Sequence, residues 1–93
     1  MDILQEDHGK KGSFYIELEG EPVARLMYTR ARDELLIIDH TEVEDVLKGK
    51  GAGKQMIMAA VQYARDNDMK ILPMCPYARS VFKKVEEIKD VLR

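Results

Sequence analysis

The sequence contains one cysteine, three prolines and no apolar run long enough to cross a bilayer. With Cys75 alone, the chain cannot form an internal disulfide, a feature typical of proteins in a reducing compartment. A membrane-spanning helix needs about 20 apolar residues, and residues 1–11 also lack the apolar stretch of a signal peptide. We therefore expect a cytoplasmic protein that has no membrane partner.

The charge balance shows no basic excess, since 17 acidic residues face 15 basic ones for a net charge of -2. Proteins that bind nucleic acid by neutralising many phosphates carry a basic face, so we expect no nucleic-acid partner. A length of 93 residues with 45% apolar content fits one domain over residues 1–93, a monomer or a weak dimer. His8 and His40 lack the spacing of a zinc pair, and we predict no metal site.

Alternating apolar residues predict two strands near the start of the chain. Phe14, Ile16 and Leu18 alternate with polar residues, as in a half-buried strand. Residues 23–29 form a second alternating run, and the glycine and proline within residues 19–22 predict a turn between the two. The pattern therefore predicts an antiparallel hairpin.

A third strand is predicted from residue 35 onward. Residues 35–38 are apolar without alternation, which indicates a central strand covered on both faces. Polar residues then enter on alternate faces over residues 39–43. This is the carboxyl end of the strand, where ligands approach open α/β sheets.

Two helices and a short strand complete the predicted order. Apolar residues at helical spacing predict a first helix that ends near residues 66–68, and a strand follows over residues 69–74. Residues 76–92 are predicted to form the last helix, with Cys75 as its cap. The expected class is α/β (α+β), a mixed sheet of about four strands with two main helices in the order strand, strand, strand, helix, strand, helix.

A glycine-rich segment, LKGKGAGK at residues 47–54, lies between the third strand and the first helix. Gly49, Gly51 and Gly53 have no side chains that would keep a phosphate from the backbone amides, and glycine adopts positive φ freely. A helix N-terminus also favours an anion. A plain strand-to-helix turn is the alternative. Mobile positive charge comes from Lys48, Lys50 and Lys54.

Two common phosphate motifs do not fit this segment. A Walker A loop requires glycine five positions before Gly53, where the sequence has Lys48, and it requires Ser or Thr where Gln55 stands. A dinucleotide-binding loop that starts at Gly49 requires glycine at the position of Lys54. Both nucleotide-loop types are therefore excluded.

The segment resembles the acyl-coenzyme A loop of the GNAT acetyltransferase superfamily, which usually reads Arg or Gln, two residues, Gly, one residue, then Gly or Ala. Here Lys48 replaces the usual Arg or Gln, a departure that leaves the backbone geometry unaffected. The stretches IIDHTEV and PMCPYARSVFKK resemble a short-chain branch of the same superfamily, and the resemblance covers residues 14–84.

This resemblance implies a minimal GNAT-like fold that binds acetyl-coenzyme A or coenzyme A, with the pyrophosphate on the amides of residues 47–54. The pantetheine arm is expected where the strands at residues 36–43 and 69–74 part. The implied cofactor-binding residues are Val43, Leu47, Lys48, Gly49, Lys50, Gly51, Ala52, Gly53, Lys54, Tyr77 and Arg79.

Four residues near the expected thioester are candidates for acyl-transfer chemistry. His40 and Glu42 share a strand face, and either could accept a proton; His40 could instead stabilise the strand end. Cys75 could carry the acyl group as a thioester, since helix N-termini favour thiolates, or be a small buried residue. Tyr77 could protonate the leaving thiolate or pack against the cofactor.

Two classes of function follow from this resemblance. The first is an acyltransferase that passes an acyl group from coenzyme A to an amine, either a small molecule or a protein lysine. The second is a module that binds coenzyme A or acyl-coenzyme A without turnover, as a sensor. The acceptor is undetermined because larger relatives hold it with helices and strands for which this chain has no room.

Overall fold

The computed structural model describes all 93 residues, and it contains a five-stranded sheet, two α-helices and two short 3-10 helices. No helix is both long and apolar enough to traverse a bilayer. The strands are β1 (Leu4–Asp7), β2 (Lys11–Leu18), β3 (Glu21–Arg32), β4 (Leu35–Val43) and β5 (Lys70–Pro73), the α-helices are α1 (Ala52–Asp66) and α2 (Pro76–Lys84), and the 3-10 helices are Asp45–Leu47 and Glu86–Val91.

The strands lie in chain order, β1-β2-β3-β4-β5, and all neighbours are antiparallel except β4 and β5. A parallel pair requires a crossover, which α1 supplies. Pairing of β4 with β5 ends where Ile38 faces Pro73. The amides of Met74 and Cys75 both donate to the Ile38 carbonyl, at 3.0 and 3.3 Å, and the chain then turns into α2. The two parallel strands therefore part at Ile38.

The core lies between α1 and one face of the sheet, and its 23 buried residues form one cluster. Period-two alternation places the apolar residues of β2 and β3 on this face. The predicted apolar stripe of α1 is confirmed, because each of its four residues is fully buried: Ile57, Ala60, Val61 and Ala64. The mixed α+β class and the hairpin of β2 and β3 are confirmed as well.

A bulge in β4 changes which of its side chains face the core. Tyr28 pairs with Ile38 and Met27 pairs with His40, so Asp39 is an extra residue between them. A bulge shifts the alternation of the strand by one residue. Thr41, which is paired with the buried Leu26, therefore lies on the core face beyond the bulge.

The same shift directs His40 and Glu42 away from the helices. We call this side of the sheet, which carries Ser13, Arg25 and Met27, the open face. The sequence predicts β4 to be covered on both faces, but Ile37 on the open face is only half-buried. That expectation fails only at Ile37, since Leu35 on the same face is 6% exposed and Leu36 and Ile38 are fully buried.

Strand β1 is missing from the sequence-based order, so the sheet has five strands rather than about four. All four of its residues are exposed, and no alternation marks them. The strand is held by pairing with β2 and by polar contacts to β3. The Tyr28 hydroxyl donates to Asp7 Oδ2 at 2.5 Å and accepts from Gln5 Nε2 at 3.0 Å, while Arg30 Nη2 donates to Asp7 Oδ2 at 3.0 Å and to the Tyr63 hydroxyl.

These contacts shift the pKa values of Tyr28 and Asp7 in opposite directions. Burial of Tyr28, reinforced by the Asp7 carboxylate, raises the pKa of Tyr28 to about 12, so its hydroxyl stays a donor at neutral pH. The hydrogen bonds from Tyr28, from the Gly9 amide and from Arg30 lower the pKa of Asp7. Gly12 makes room for this cluster, since a Cβ there would overlap the Tyr28 hydroxyl.

The last helix is shorter than predicted. α2 ends at Lys84 because Val85 adopts an extended conformation, with φ -106° and ψ 98°. A 3-10 helix, Glu86–Val91, follows instead of helix to residue 92. The bend lets Leu92 form a parallel bridge with Ile71 of β5, and the Arg93 amide donates to the Ile71 carbonyl at 2.9 Å. The C-terminal segment therefore covers part of the β5 edge.

We expect Asp7→Asn to lower the free energy of unfolding by about 1 to 2 kcal/mol at pH 7, because the hydrogen bonds to the carboxylate weaken. A carboxyl with a lowered folded-state pKa contributes stability above its unfolded-state pKa of about 3.9, and that contribution is lost as the pH falls through the folded-state pKa. The difference between the two proteins in urea unfolding should therefore shrink toward pH 3.

Asp33→Asn is the matched control, since Asp33 is exposed in the β3–β4 turn and has no hydrogen-bond partner. Equal unfolding free energies for the Asp7 and Asp33 variants at pH 7 would contradict the proposed role of Asp7.

Candidate cofactor and acyl-transfer site

The glycine-rich loop begins on a buried anchor and contains two left-handed residues. Leu47, the last residue of the first 3-10 helix, is buried in the core. Gly49 and Gly51 follow with φ values of 77° and 75°, and L side chains rarely adopt this region without strain. The conformation of the loop therefore requires glycine at both positions.

Five backbone amides at this point donate to no acceptor within the chain. The first helical hydrogen bond of α1 runs from the Gln55 amide to the Gly51 carbonyl at 3.0 Å. Gly51 caps the helix without a side-chain acceptor, and the first turn contains no acidic residue. Free amides at a helix N-terminus form an anion site. The free amides belong to Gly49, Gly51, Ala52, Gly53 and Lys54.

A shallow cleft of about 200 Å³ lies over these amides. All eight of its lining residues belong to the set that the sequence predicts for cofactor binding. They are Val43, Leu47, Lys48, Gly49, Gly51, Ala52, Gly53 and Tyr77.

The cationic residues predicted to bind the cofactor differ in whether they already have a partner within the chain. Lys48 pairs with Asp45 at 3.0 Å on the surface, whereas Lys50 and Lys54 are exposed and form no ion pair within the chain. Arg79 lies apart from the cleft, and its Nε donates to the Pro73 carbonyl at 3.2 Å. Of these four residues, only Lys48 lines the cleft; Lys50, Lys54 and Arg79 do not.

Tyr77 of α2 packs directly against Gly53 of α1. A Cβ at Gly53 would lie 2.8 Å from both Cζ and the hydroxyl oxygen of Tyr77. The third glycine of the loop is thus required for a close contact and not for a left-handed backbone. The Tyr77 residue is 42% exposed, and its hydroxyl has no hydrogen-bond partner within the chain. Partial burial, with the nearby Cys75, raises the pKa of Tyr77.

Cys75 caps α2, as the sequence predicts. Its Sγ accepts a hydrogen bond from the Ala78 amide at 3.4 Å and lies 3.4 Å from Thr41 Oγ1, where either atom can donate. Pro76 occupies the first helical position, where its missing amide hydrogen costs nothing. Cys75 is only 6% exposed. The thiol therefore lies at the point where β4 and β5 part, next to a β4 residue on the core face.

His40 and Glu42 form a pair on the open face, with His40 Nε2 3.0 Å from Glu42 Oε1. Both side chains are exposed. Since Thr41 points to Cys75, its two neighbours along the strand point the opposite way. The four candidate catalytic residues therefore form two pairs, Cys75 with Tyr77 on the helix side and His40 with Glu42 on the open face.

A second cleft, of about 310 Å³, lies on the open face and is not predicted from the sequence, although His40 helps to line it. Its walls come from β1, β2, β3 and β4, so its position depends on the register of four strands. The sequence feature that could have predicted this cleft is the set of polar residues at alternate positions in β2 and β3. They include Lys11, Ser13 and Arg25.

We expect Gly53→Ala to lower the free energy of unfolding by about 1 kcal/mol, because the new methyl group overpacks against the Tyr77 ring. In a Tyr77→Ala background the same change should instead stabilise the protein by about 0.5 kcal/mol, since alanine is the better helix former. Urea unfolding of the four proteins measures this coupling. Strictly additive effects would contradict the contact between Gly53 and Tyr77.

Known proteins share the sequence pattern and the fold of this chain. The GCN5-related N-acetyl-transferase family matches residues 13–91. Protein NATD1 of Gallus gallus is 29% identical over 83 residues, which covers 87% of this chain and 76% of that protein. Protein NATD1 of Homo sapiens is 28% identical over 83 residues, with 88% of this chain and 74% of that protein covered.

Two solved structures share the fold. A GCN5-like protein of Staphylococcus aureus, solved in solution by NMR, superposes with a TM-score of 0.75 at 33% identity, covering 99% of this chain and 87% of that chain. Aminoglycoside N-acetyltransferase AAC(6')-Iy, solved in complex with CoA, has a TM-score of 0.65 at 13% identity and covers 92% of this chain and 87% of its own. This chain belongs to the GCN5-related N-acetyltransferase family.

Proposed function

We propose that the protein transfers an acyl group from acetyl-coenzyme A, or a related acyl-coenzyme A, to an amine. The observation that carries the proposal is the set of five free amides at the start of α1, beside the phenol of Tyr77. Family membership supports it, as does the bound CoA of a protein with the same fold.

The loop fits the pyrophosphate of such a cofactor. Two left-handed glycines and an N-cap without a side chain leave the amides open to solvent, and no carboxylate in the first turn repels an anion. Lys48 in the cleft wall adds positive charge, as do the unpaired, exposed ammonium groups of Lys50 and Lys54 nearby in the chain. Val43 and Leu47 provide apolar contacts on the strand side of the cleft.

When bound, acetyl-coenzyme A supplies an acyl group activated as a thioester. The Tyr77 hydroxyl is free to donate its proton to the departing sulfur, because no group in the chain competes for it and its raised pKa keeps it protonated at neutral pH. On the other side of the sheet, the His40–Glu42 pair can take the proton that the amine releases. Acid and base thus occupy opposite faces where β4 and β5 part.

Two routes connect these groups. In the direct route the amine attacks the acyl carbon, loses a proton to the His40–Glu42 pair, and the sulfur of coenzyme A leaves with a proton from Tyr77. In the covalent route, the acyl group would pass to Cys75 Sγ while the thiol proton leaves with the sulfur of coenzyme A, which departs as a thiol. The amine would then displace Sγ from the acyl carbon and return a proton to it. The burial of the thiol, which is only 6% exposed, favours the direct route.

A binding module without turnover is the second candidate. The observation that favours it is the separation of the His40–Glu42 pair from Cys75 and Tyr77 by the plane of the sheet. Such a module needs the free amides but none of the four candidate catalytic side chains, so the two classes predict the same binding and different chemistry.

We expect acetyl-coenzyme A to raise the melting temperature, and Gly51→Ala to weaken its binding about tenfold, since a strained left-handed alanine re-aims the loop amides. Isothermal titration measures the affinity. Gly20→Ala is the matched control, because Gly20 also has a positive φ, 80°, and open space where a Cβ would lie, but belongs to the β2–β3 turn. No binding by the native protein, or equal affinity for both variants, would overturn the cofactor site.

We expect Tyr77→Phe to reduce kcat about 100-fold with little change in the affinity for acetyl-coenzyme A, because it removes only the proton donor. Release of coenzyme A in the presence of an amine panel gives the rate.

Intact-mass analysis of the protein after incubation with acetyl-coenzyme A tests the covalent route: an acyl adduct that is absent in Cys75→Ala supports it. Slow hydrolysis that is insensitive to Tyr77, His40 and Cys75 would favour the binding module.

A further inference from the structure

A third cleft, of about 380 Å³, lies beside the outer edge of β5. Its volume is within the range of small-molecule sites. The proposed acyl transfer uses none of its six lining residues, which come from the end of β5, from α2 and from the C-terminal segment. They are Pro73, Arg79, Phe82, Lys83, Lys89 and Leu92.

The bend after α2 forms this cleft. The extended conformation of Val85 ends the helix, and the following 3-10 helix returns the chain to β5, where Leu92 bridges to Ile71. The returning segment therefore runs beside α2 and leaves space between them. Pro73 and Phe82, both buried, form the floor of this space, and the half-buried Leu92 forms a wall. The floor and this wall are apolar.

Cationic side chains line the rest of the cleft. Arg79 Nε donates to the Pro73 carbonyl at 3.2 Å, which leaves both Nη groups without a partner within the chain. Lys83 lies one turn later on α2, is exposed and forms no ion pair. Lys89 is paired with Glu86 at 2.7 Å. A guanidinium held by its Nε presents its free donors to a carboxylate, which arginine binds through two parallel hydrogen bonds.

No carboxylate lines this cleft. Of the acidic residues in the C-terminal segment, Glu86 contacts Lys89, Asp90 pairs with Arg65 of α1 at 2.8 Å, and Glu87 is exposed outside the cleft. The lining charges are therefore all positive, and the two on α2 have no counterion within the chain. This arrangement favours an anionic ligand.

The cleft is separate from the cofactor cleft, with which it shares no lining residue. At 3.6 residues per turn, Arg79 and Lys83 lie on a different side of α2 from Tyr77. The size of the cleft also limits its occupant. Stable protein interfaces use about 20 to 30 residues a side, so a cleft lined by six residues fits a small molecule rather than a protein.

We propose that this cleft binds a small carboxylate with an apolar chain, of the medium-chain fatty-acid type. The carboxylate lies between Arg79 and Lys83, and the chain lies on Pro73, Phe82 and Leu92. A simple anion would leave the apolar floor uncovered, and a neutral chain would leave the two cations without a partner. The site goes beyond the proposed acyl transfer and does not depend on it.

The test compares ligands that differ in charge or in chain length. Octanoate, butanoate, octanamide and inorganic phosphate are titrated separately into the ¹⁵N-labelled protein at pH 7. We expect octanoate to shift the amide resonances of residues 79–83 and 89–92 saturably. Its affinity should be about tenfold above that of butanoate, which buries fewer methylene groups, and about tenfold above that of octanamide, which lacks the charge. Equal affinity for any two of these three, phosphate binding as tight as that of octanoate, or no saturable shift would overturn the proposal.

Variants assign the binding to the cleft. Arg79→Gln and Lys83→Gln should each weaken octanoate binding about fivefold and leave octanamide unchanged. Lys84→Gln is the matched control, since Lys84 is the next residue of α2, is exposed and does not line the cleft. Melting temperatures show whether each variant is folded, and Lys83, which has no partner within the chain, provides the test if the loss of Arg79 destabilises the protein. Octanoate affinity that is unchanged in Lys83→Gln, or that falls equally in Lys84→Gln, would contradict the assignment.

Coenzyme A separates this site from the proposed cofactor site. Saturating coenzyme A should leave the octanoate shifts unchanged, because the two clefts have no residue in common. Displacement of octanoate by coenzyme A would assign the cleft to the cofactor and overturn the proposal. Octanoate binding by a protein that does not bind coenzyme A would overturn the cofactor site and support this one.

Discussion

The parallel pairing of β4 with β5 is the contact on which the site depends. Parallel strands bring their carboxyl ends to the same edge of a sheet, so the loop before α1 and the cap of α2 start side by side. Pairing stops where Ile38 faces Pro73. Beyond that point, Tyr77 can rest on Gly53, and Cys75 can reach Thr41. The candidate anion site and the candidate proton donor therefore both follow from one strand pair.

The bulge at Asp39 in β4 determines which face of the sheet carries each candidate catalytic residue of that strand. The bulge at Asp39 leaves Thr41 on the core face and turns His40 and Glu42 to the open face. Bulges commonly re-aim side chains next to active sites. If β4 instead kept a regular alternation through Asp39, His40 and Glu42 would face the core, where burying charged groups is costly, and the open face would lose its candidate proton acceptor.

A chain of 93 residues can form only a small core, because small domains bury a smaller fraction of their surface than large ones do. Polar contacts secure the elements that the core does not reach. Asp7, Tyr28 and Arg30 hold β1 at one edge of the sheet. At the other edge, Leu92 bridges to Ile71, and Asp90 accepts two hydrogen bonds from Arg65. Both sheet edges thus depend on contacts between segments distant in sequence.

The sequence by itself determined what depends on neighbouring residues. Periodicity gave the hairpin and the buried stripe of α1, turn chemistry gave the glycine loop, and Pro76 marked Cys75 as a cap. The tertiary structure decided what depends on register and distant partners: pairing of β1, the bulge at Asp39, the end of α2 at Lys84 and the cleft over Ser13. Strand register and side-chain contacts across the sheet are set by packing of the whole chain, and no local pattern encodes them.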